Sequence, residues 1–206
     1  MKTFALISQK GGSGKTTLSL NLAIAASRAG KQVVLIDLDP QQSATRWARL
    51  RKEENPFIIS GHAPNLPDLI EKARSGGADL VVIDTAPKSE NASLVAAKLA
   101  DLIIIPCQPS SLDLDAVADT VNIANLAGKP AVFVLNGCKA GSSLADMAAE
   151  ALADYRLPIA TVRIGSRVAF IKSLTKGLGV VEYEPNGPSA KEISAFYKYA
   201  TKKGDM

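Results

Sequence analysis

Short apolar runs alternate with amphipathic stretches along most of the chain. The runs are rich in Val, Ile and Leu, which is typical of strands buried on both faces of a sheet. They lie at 3–7, 33–36, 80–83, 102–105 and 131–135, with a shorter candidate at 57–59. Helical patterns occupy 15–29, 43–52, 66–74, 91–99, 112–126 and 142–154. This alternation predicts an α/β fold in which a mostly parallel, twisted sheet carries helices on both faces.

The chain has no internal repeat, low-complexity tract or linker, so we expect one domain over residues 1–206. Its first strand begins almost at residue 1, which leaves no room for a signal peptide, and no apolar stretch is long enough to span a membrane. The two cysteines, Cys107 and Cys138, form no C-x-x-C pair. These features favour a cytoplasmic protein.

A glycine-rich segment at 9–17, Gln-Lys-Gly-Gly-Ser-Gly-Lys-Thr-Thr, joins the first strand to the first helix. It matches the phosphate-binding pattern G-x-x-x-x-G-K-[ST] except that Gln9 stands at its first position. Backbone N–H groups there can cradle phosphates, Lys15 can reach the β- and γ-phosphates, and the Thr16 hydroxyl can ligate Mg²⁺. The predicted nucleotide-binding residues are Gly11, Gly12, Ser13, Gly14, Lys15, Thr16 and Thr17.

Polar residues also follow three other buried strands. Asp37 and Asp39 come after 33–36, Asp84 follows 80–83, and Asn136 follows 131–135. The carboxyl ends of parallel strands share one edge, so these residues should converge with the loop. Asp84 fits a Walker B acid that holds Mg²⁺, although strand-end aspartates can also simply cap a loop. Asn136 could read a purine edge or sit in a turn; N-K-x-D, which reads guanine, is absent, and this favours adenine.

Four motifs together resemble the ParA/MinD family of deviant Walker A ATPases, closest to small ParA-type partition ATPases without an N-terminal helix-turn-helix. They are K-G-G-x-G-K-T-T at 10–17, D-x-D-P at 37–40, D-T-A-P at 84–87 and P-x-x-P at 106–109. The resemblance implies that Lys10 reaches across a dimer interface to the other subunit's nucleotide. It also implies that Asp39 orients the attacking water, that Asp37 supports the Mg²⁺ shell and that Asn136 binds adenine.

The family also implies a function. We expect a homodimer on ATP that binds DNA non-specifically and hydrolyses ATP with Mg²⁺ when a ParB-like or other adaptor stimulates it. Such a protein is nucleoid-associated and drives partition of a plasmid, a chromosome region or a protein cargo. The alternative is a MinD-like membrane-associated ATPase, for which Ile193, Phe196, Tyr197 and Ala200 form a candidate apolar face. A metallocluster carrier is disfavoured, because its two cysteines are unpaired.

Positive charge is concentrated in the last quarter of the chain. Residues 1–155 carry 15 Lys and Arg against 16 Asp and Glu, a net −1, whereas residues 156–206 carry nine against four, a net +5. A basic surface suits a polyanion. Residues 163–170 resemble the segment before the penultimate helix of small ParA-type proteins, and Arg163, Arg167 and Lys172 are the predicted DNA-binding residues. A solvated helix surface is the alternative for each of them.

Overall fold

Parallel strands form one seven-stranded sheet in a computed structural model that describes residues 1–204, apart from the side chain of Ser111. Asp205 and Met206, which end the predicted domain, lie outside the described residues. The strands are β1 (Lys2–Leu6), β2 (Val33–Asp37), β3 (Phe57–Ser60), β4 (Leu80–Asp84), β5 (Leu102–Cys107), β6 (Ala131–Cys138) and β7 (Ile164–Gly165). Their order across the sheet is β3-β2-β4-β1-β5-β6-β7.

Helices connect the strands at nearly the positions that periodicity predicts. They are α1 (Lys15–Arg28), α2 (Ser43–Ala48), α3 (Leu66–Ser75), α4 (Glu90–Leu99), α5 (Leu114–Ala127) and α6 (Leu144–Ala153). Three more helices follow β7, beyond the last of the predicted helical patterns: α7 (Val168–Leu174), α8 (Val180–Tyr183) and α9 (Pro188–Gly204). Short 3-10 turns lie at Ala63–Asn65 and Pro109–Ser111. The predicted α/β class is therefore confirmed.

Helix α2 is shorter than predicted: it ends at Ala48, whereas the predicted helix extends to Lys52. The chain turns there so that the Arg51 guanidinium can reach Glu182 of α8, with both of its contacts to that carboxylate at 2.9 Å. The same guanidinium lies 5.5 Å from the ring centroid of Trp47. This buried pair fixes the segment after β2 to the C-terminal helices.

The two faces of the sheet carry separate cores. Helices α1, α2, α7, α8 and α9 contribute to the core on one face. Helices α3 to α6 contribute to the core on the other. The inner strands supply side chains to both cores, because successive side chains of a strand point to opposite faces of the sheet. Their sequences are therefore continuous apolar runs.

The apolar stripe of α9 is part of the first core. Ile193, Phe196 and Ala200 are fully buried, and Tyr197 is half-buried against them. This stripe therefore covers the sheet and is not on the surface of the described fold. Within residues 1–204, no helix combines the length and the apolar character needed to cross a bilayer.

Strand order places β1 at the centre, between β4 and β5. The chain moves outward on one side through β2 and β3 and on the other through β6 and β7. Ligands of open α/β sheets bind at such a switch point, outside the carboxyl ends of the strands. Asp37 and Asp84 are register partners at the ends of β2 and β4, beside the loop that follows β1.

Candidate nucleotide-binding site

The loop between β1 and α1 depends on two glycines with left-handed backbone. Gly12 has φ +75° and Gly14 has φ +91°, which side-chain-bearing residues rarely adopt. Gly14 has a second reason to lack a side chain, because a Cβ there would lie 2.1 Å from the Nδ2 atom of Asn136. These glycines turn the chain tightly before α1, where the positive end of the helix dipole favours an anion.

The loop presents unused hydrogen-bond donors. Among the described residues, the backbone N–H groups of Gly11, Gly12, Ser13 and Gly14 find no acceptor. The Ser13 hydroxyl is buried and also lacks a partner within that part of the chain. Consecutive unpaired amides at a helix N-terminus form an anion-binding concavity. Thr16 and Thr17 continue it as the half-buried first turn of α1.

Lys15 lies in this concavity. Its ammonium donates to the carbonyl oxygen of Ser8 at 3.0 Å and reaches that of Lys10 at 3.4 Å. Burial lowers the pKa of Lys15 below its ordinary value, and the opposing charges of Asp84 and Asp39 limit the effect. A buried ammonium held by carbonyl groups is well placed to exchange a carbonyl for a phosphate oxygen.

Asp84 ends β4 with its carboxylate fully buried. The Ser19 hydroxyl donates to Oδ1 at 3.1 Å, whereas Oδ2 has no hydrogen-bond partner among the described residues. Burial raises the pKa of Asp84 to about 7, while the nearby Thr16 and Ser19 hydroxyls and the Lys15 ammonium oppose the increase. An orphaned carboxylate oxygen beside a threonine hydroxyl fits Mg²⁺, which combines few protein ligands with phosphate oxygens and water.

Asp37 and Asp39 differ in the number of hydrogen bonds that their carboxylates accept. Asp37 is buried and accepts three hydrogen bonds, from the Asp39 N–H at 3.1 Å and from the Thr45 N–H and hydroxyl at 2.9 and 3.1 Å. It thereby ties the end of β2 to α2. Asp39 is half-buried, and among the described residues its carboxylate accepts one hydrogen bond, from the Gln41 N–H at 2.9 Å. Asp37 thus shapes the segment that presents Asp39, while the Asp39 carboxylate keeps accepting capacity for a ligand or water.

Two amide side chains contact the outer side of the loop. Asn136 donates from Nδ2 to the Ser13 carbonyl at 2.8 Å, and Gln108 donates from Nε2 to the Gly12 carbonyl at 2.8 Å. The sequence placed Asn136 at this edge and suggested either an adenine contact or a turn position, and the adenine contact stays a prediction. It gave no role to Gln108 beyond its place in the P-x-x-P segment.

Gln9 is a residue whose role the sequence analysis missed. Its N–H donates to the Thr120 hydroxyl of α5 at 3.1 Å, and its side-chain amide reaches the Ser93 hydroxyl of α4 at 3.3 Å. The side chain is buried. Its departure from the glycine of the usual pattern was the available signal: the contact with α5 uses the backbone, but the contact with α4 needs a side chain at this position.

Lys10 forms an ion pair with Asp113 at the start of α5, at 3.2 Å between Nζ and Oδ2. Both side chains remain partly exposed, at 35% and 42%. The Asp113 carboxylate also caps α5 by accepting from the Ala116 N–H. These two contacts, the backbone one first, lower the pKa of Asp113. Lys10 is therefore held beside the loop by a contact within its own chain.

Two of the three predicted DNA-binding residues have acidic partners. Arg163 pairs with Asp146 at 2.6 Å, and Arg167 pairs with Glu192 of α9. Lys172 is exposed near the end of α7. The carboxylates offset much of the arginine charge, which the sequence could not reveal because the partners lie 17 and 25 residues away.

The site combines three features at the carboxyl edge of a parallel sheet: a glycine-rich loop whose amides find no acceptor among the described residues, a buried lysine, and a buried aspartate with one unpaired carboxylate oxygen. This combination defines a P-loop nucleotide-binding protein. Residues 4–180 match the family described as the CobQ/CobB/MinD/ParA nucleotide binding domain. The chain belongs to this family.

Similar proteins include one named for carboxysome distribution and one named for chromosome partitioning. "Maintenance of carboxysome distribution protein A" of Gloeobacter kilaueensis is 33% identical over 208 residues, which cover 99% of this chain and 94% of that protein. "Chromosome-partitioning ATPase Soj" of Thermus thermophilus is 33% identical over 147 residues, 57% of this chain and 59% of that one. The MinD protein of Pyrococcus horikoshii, solved with Mg-ADP, has the same fold, with a TM-score of 0.73, 19% identity, and coverage of 96% and 94%. The prediction of a ParA/MinD-type ATPase is confirmed at the level of the family.

Proposed function

We propose that this protein is an ATP-driven positioning ATPase that dimerises on ATP, binds DNA non-specifically as a dimer and is released on hydrolysis. The observation that carries the proposal is Lys10, a second lysine on the phosphate loop of a chain that belongs to the CobQ/CobB/MinD/ParA family. The loop accounts for nucleotide binding by one chain, whereas a lysine beside the loop suits a contact with a second one.

Each residue of the site has a role in hydrolysis under this proposal. The loop amides and Lys15 bind the phosphates and stabilise the charge that develops on them. Thr16 and Asp84 would hold Mg²⁺, which neutralises charge on the β- and γ-phosphates when bound. Asp39 orients the attacking water through its unused carboxylate oxygen, and Asp37 keeps the Asp39 segment in place.

The dimer requires Lys10 to exchange partners. In the described structure it contacts Asp113 of its own chain, and in the dimer it would contact the phosphates held by the other copy. Sedimentation velocity with ADP and with a non-hydrolysable ATP analogue tests this step. We expect dimers with the analogue alone, and monomers for Lys10→Ala. Lys52→Ala, which removes an exposed lysine outside the loop, is the matched control. Dimers of Lys10→Ala as stable as native would contradict the proposal.

An exposed row of lysines on α9 supports the DNA-binding part. Lys191, Lys198 and Lys202 are exposed and lie seven and four residues apart, which places them on one side of the helix. The row is about 17 Å long at 1.5 Å per residue. We propose that it binds phosphates together with Lys172, and that Arg163 and Arg167 contribute only if their acidic partners release them.

Salt dependence tests the lysine row directly. A double Lys198→Ala, Lys202→Ala variant should reduce the slope of log affinity against log salt by about 2, because each phosphate contact accounts for about 0.9. Lys72→Ala with Lys98→Ala is the matched control, since these exposed lysines lie on α3 and α4, across the sheet from α9. Equal slopes for the two double variants would remove the row from the DNA surface.

The proposed function also includes a cargo that the protein positions in the cell. A near full-length relative is named for carboxysome distribution, whereas Soj matches over little more than half of the chain. We therefore propose that the cargo is a protein assembly rather than a plasmid or a chromosome region. An adaptor that stimulates hydrolysis would connect the ATPase to this cargo. A fluorescent fusion of Asp39→Ala should coincide with the nucleoid in cells, and Lys15→Ala should be dispersed. A signal along the cell envelope would instead support the MinD-like alternative.

A further inference from the structure

Two side-chain amides hold neighbouring carbonyl groups of the phosphate loop from outside. Gln108 follows β5, and its Nε2 donates to the Gly12 carbonyl at 2.8 Å. Asn136 belongs to β6, and its Nδ2 donates to the Ser13 carbonyl, also at 2.8 Å. Because β5 and β6 are parallel neighbours, both amides reach the loop from the same side of the central strand.

These contacts set the direction of the phosphate-binding amides. A trans peptide unit is planar, so the carbonyl of one residue and the N–H of the next point in opposite directions. Holding the Gly12 carbonyl toward β5 therefore turns the Ser13 N–H away from it. Holding the Ser13 carbonyl toward β6 does the same for the Gly14 N–H. These two N–H groups are among those that find no acceptor within the described chain.

We infer that Gln108 and Asn136 are positioning residues, which orient the Ser13 and Gly14 N–H groups for nucleotide phosphates before the nucleotide arrives. Gly14 is consistent with this assignment. Any other residue at position 14 would place its Cβ 2.1 Å from the Nδ2 atom of Asn136. Such a residue would displace the Asn136 amide and also strain the backbone. Two side chains at the ends of β5 and β6 thus help to hold the shape of the loop, in addition to the contacts that Lys15 makes within it. This inference rests on the nucleotide site alone and stands apart from DNA binding and cargo positioning.

The Gln108 test compares nucleotides with and without phosphates. The variant Gln108→Met keeps the length of the side chain but removes the donor, and Gln108→Asn keeps an amide that is one methylene too short to reach. Each should weaken ADP binding about fivefold, as expected for one lost neutral hydrogen bond, and leave adenosine binding unchanged. Gln32→Met, at an exposed glutamine near the start of β2, is the matched control. Calorimetry measures ADP, and competition measures adenosine.

Asn136 needs a test that separates the loop contact from adenine recognition. Asn136→Ala should weaken ATP and inosine triphosphate by the same factor, about fivefold, because both ligands use the same phosphate cradle. Asn122→Ala, at an exposed asparagine of α5, is the matched control. Circular dichroism and thermal unfolding without nucleotide verify that each variant folds.

Two results would overturn the inference. The first is equal loss of ADP and adenosine binding, or no loss of either, in both Gln108 variants. The second is an Asn136→Ala protein that loses only its preference for ATP over inosine triphosphate while its affinity for the latter stays native. That second result would make Asn136 a base-reading residue instead.

Discussion

Replacing Asp84 by asparagine should make the nucleotide-free protein more stable while it removes Mg²⁺-dependent nucleotide binding. The Asp84 carboxylate is fully buried, and one of its oxygens has no hydrogen-bond partner within the described residues. Asparagine has almost the same shape and carries no charge. A residue kept at a cost in stability is typical of a functional site, and under the proposed function this cost serves Mg²⁺ binding.

The magnitude follows from the pKa of Asp84. Burial raises it from 3.8 to about 7, and at about 1.36 kcal/mol for each pKa unit this corresponds to roughly 4 kcal/mol against the charged form. Asparagine avoids that cost but places part of its own amide at the position of the unpaired Oδ2, where it lacks a hydrogen-bond partner among the described residues, so we expect about half of that cost as net gain. A gain of about 2 kcal/mol raises Tm by about 4–8 °C in a protein of this size.

The pH dependence has a definite sign. The folded-state pKa lies above the unfolded one, so the protonated carboxyl stabilises the fold below pH 3.8 and this contribution is lost as the pH rises to about 7. Above that pH the destabilisation is constant. The advantage of Asp84→Asn should therefore be largest at pH 8 and clearly smaller at pH 5.

Thermal unfolding without nucleotide or metal, at pH 5 and pH 8, measures both effects. Asp119→Asn, at an exposed aspartate of α5, is the control for a change of net charge. Adding ATP with Mg²⁺ should raise the Tm of the native protein, and the Mg²⁺-dependent part of that increase should vanish in Asp84→Asn. A Tm of Asp84→Asn below that of the native protein at pH 8, or an equal gain in Tm at pH 5 and pH 8, would contradict this prediction.

Three further predictions concern the loop and its neighbours. Lys15→Ala should abolish nucleotide binding or hydrolysis, measured by calorimetry and phosphate release, and normal turnover would mean that this lysine is not in the site. Asp39→Ala should retain ATP and accumulate as a dimer, and an unchanged hydrolysis rate would exclude Asp39 from the mechanism. Asp113→Asn should strengthen ATP-dependent dimerisation a few-fold, because it frees Lys10 from its own chain; weaker dimerisation in sedimentation would show that the pair supports the dimer.

The sequence predicted those parts of the fold that follow from short-range pattern. Runs such as 80–83 and 102–105 are apolar at every position, which requires burial on both faces and therefore a covered parallel sheet. Strand β7 was missed because Ile164–Gly165 is too short to form a pattern. The early end of α2 was missed because it depends on Arg51 meeting Glu182, 131 residues further along the chain.

The site was predictable where chemistry is local in sequence. The loop at 9–17 and the acids after β2 and β4 were found, since their meaning depends on spacing and on the end of a strand. The contacts of Gln9, Gln108 and Asn136 to hydroxyl and carbonyl groups were not found. Those contacts join residues from 84 to 123 positions apart, and no single stretch of sequence records them.

Under the proposed function, ATP converts this protein into a form that binds DNA. A mobility-shift assay at moderate salt with ATP, ADP or no nucleotide tests it most directly, with Asp39→Ala beside the native chain to hold the ATP state. The account predicts a shift with ATP alone, on DNA of any sequence, and a stronger one for Asp39→Ala. Absence of a shift in every state, or a shift of equal strength without nucleotide, would contradict it.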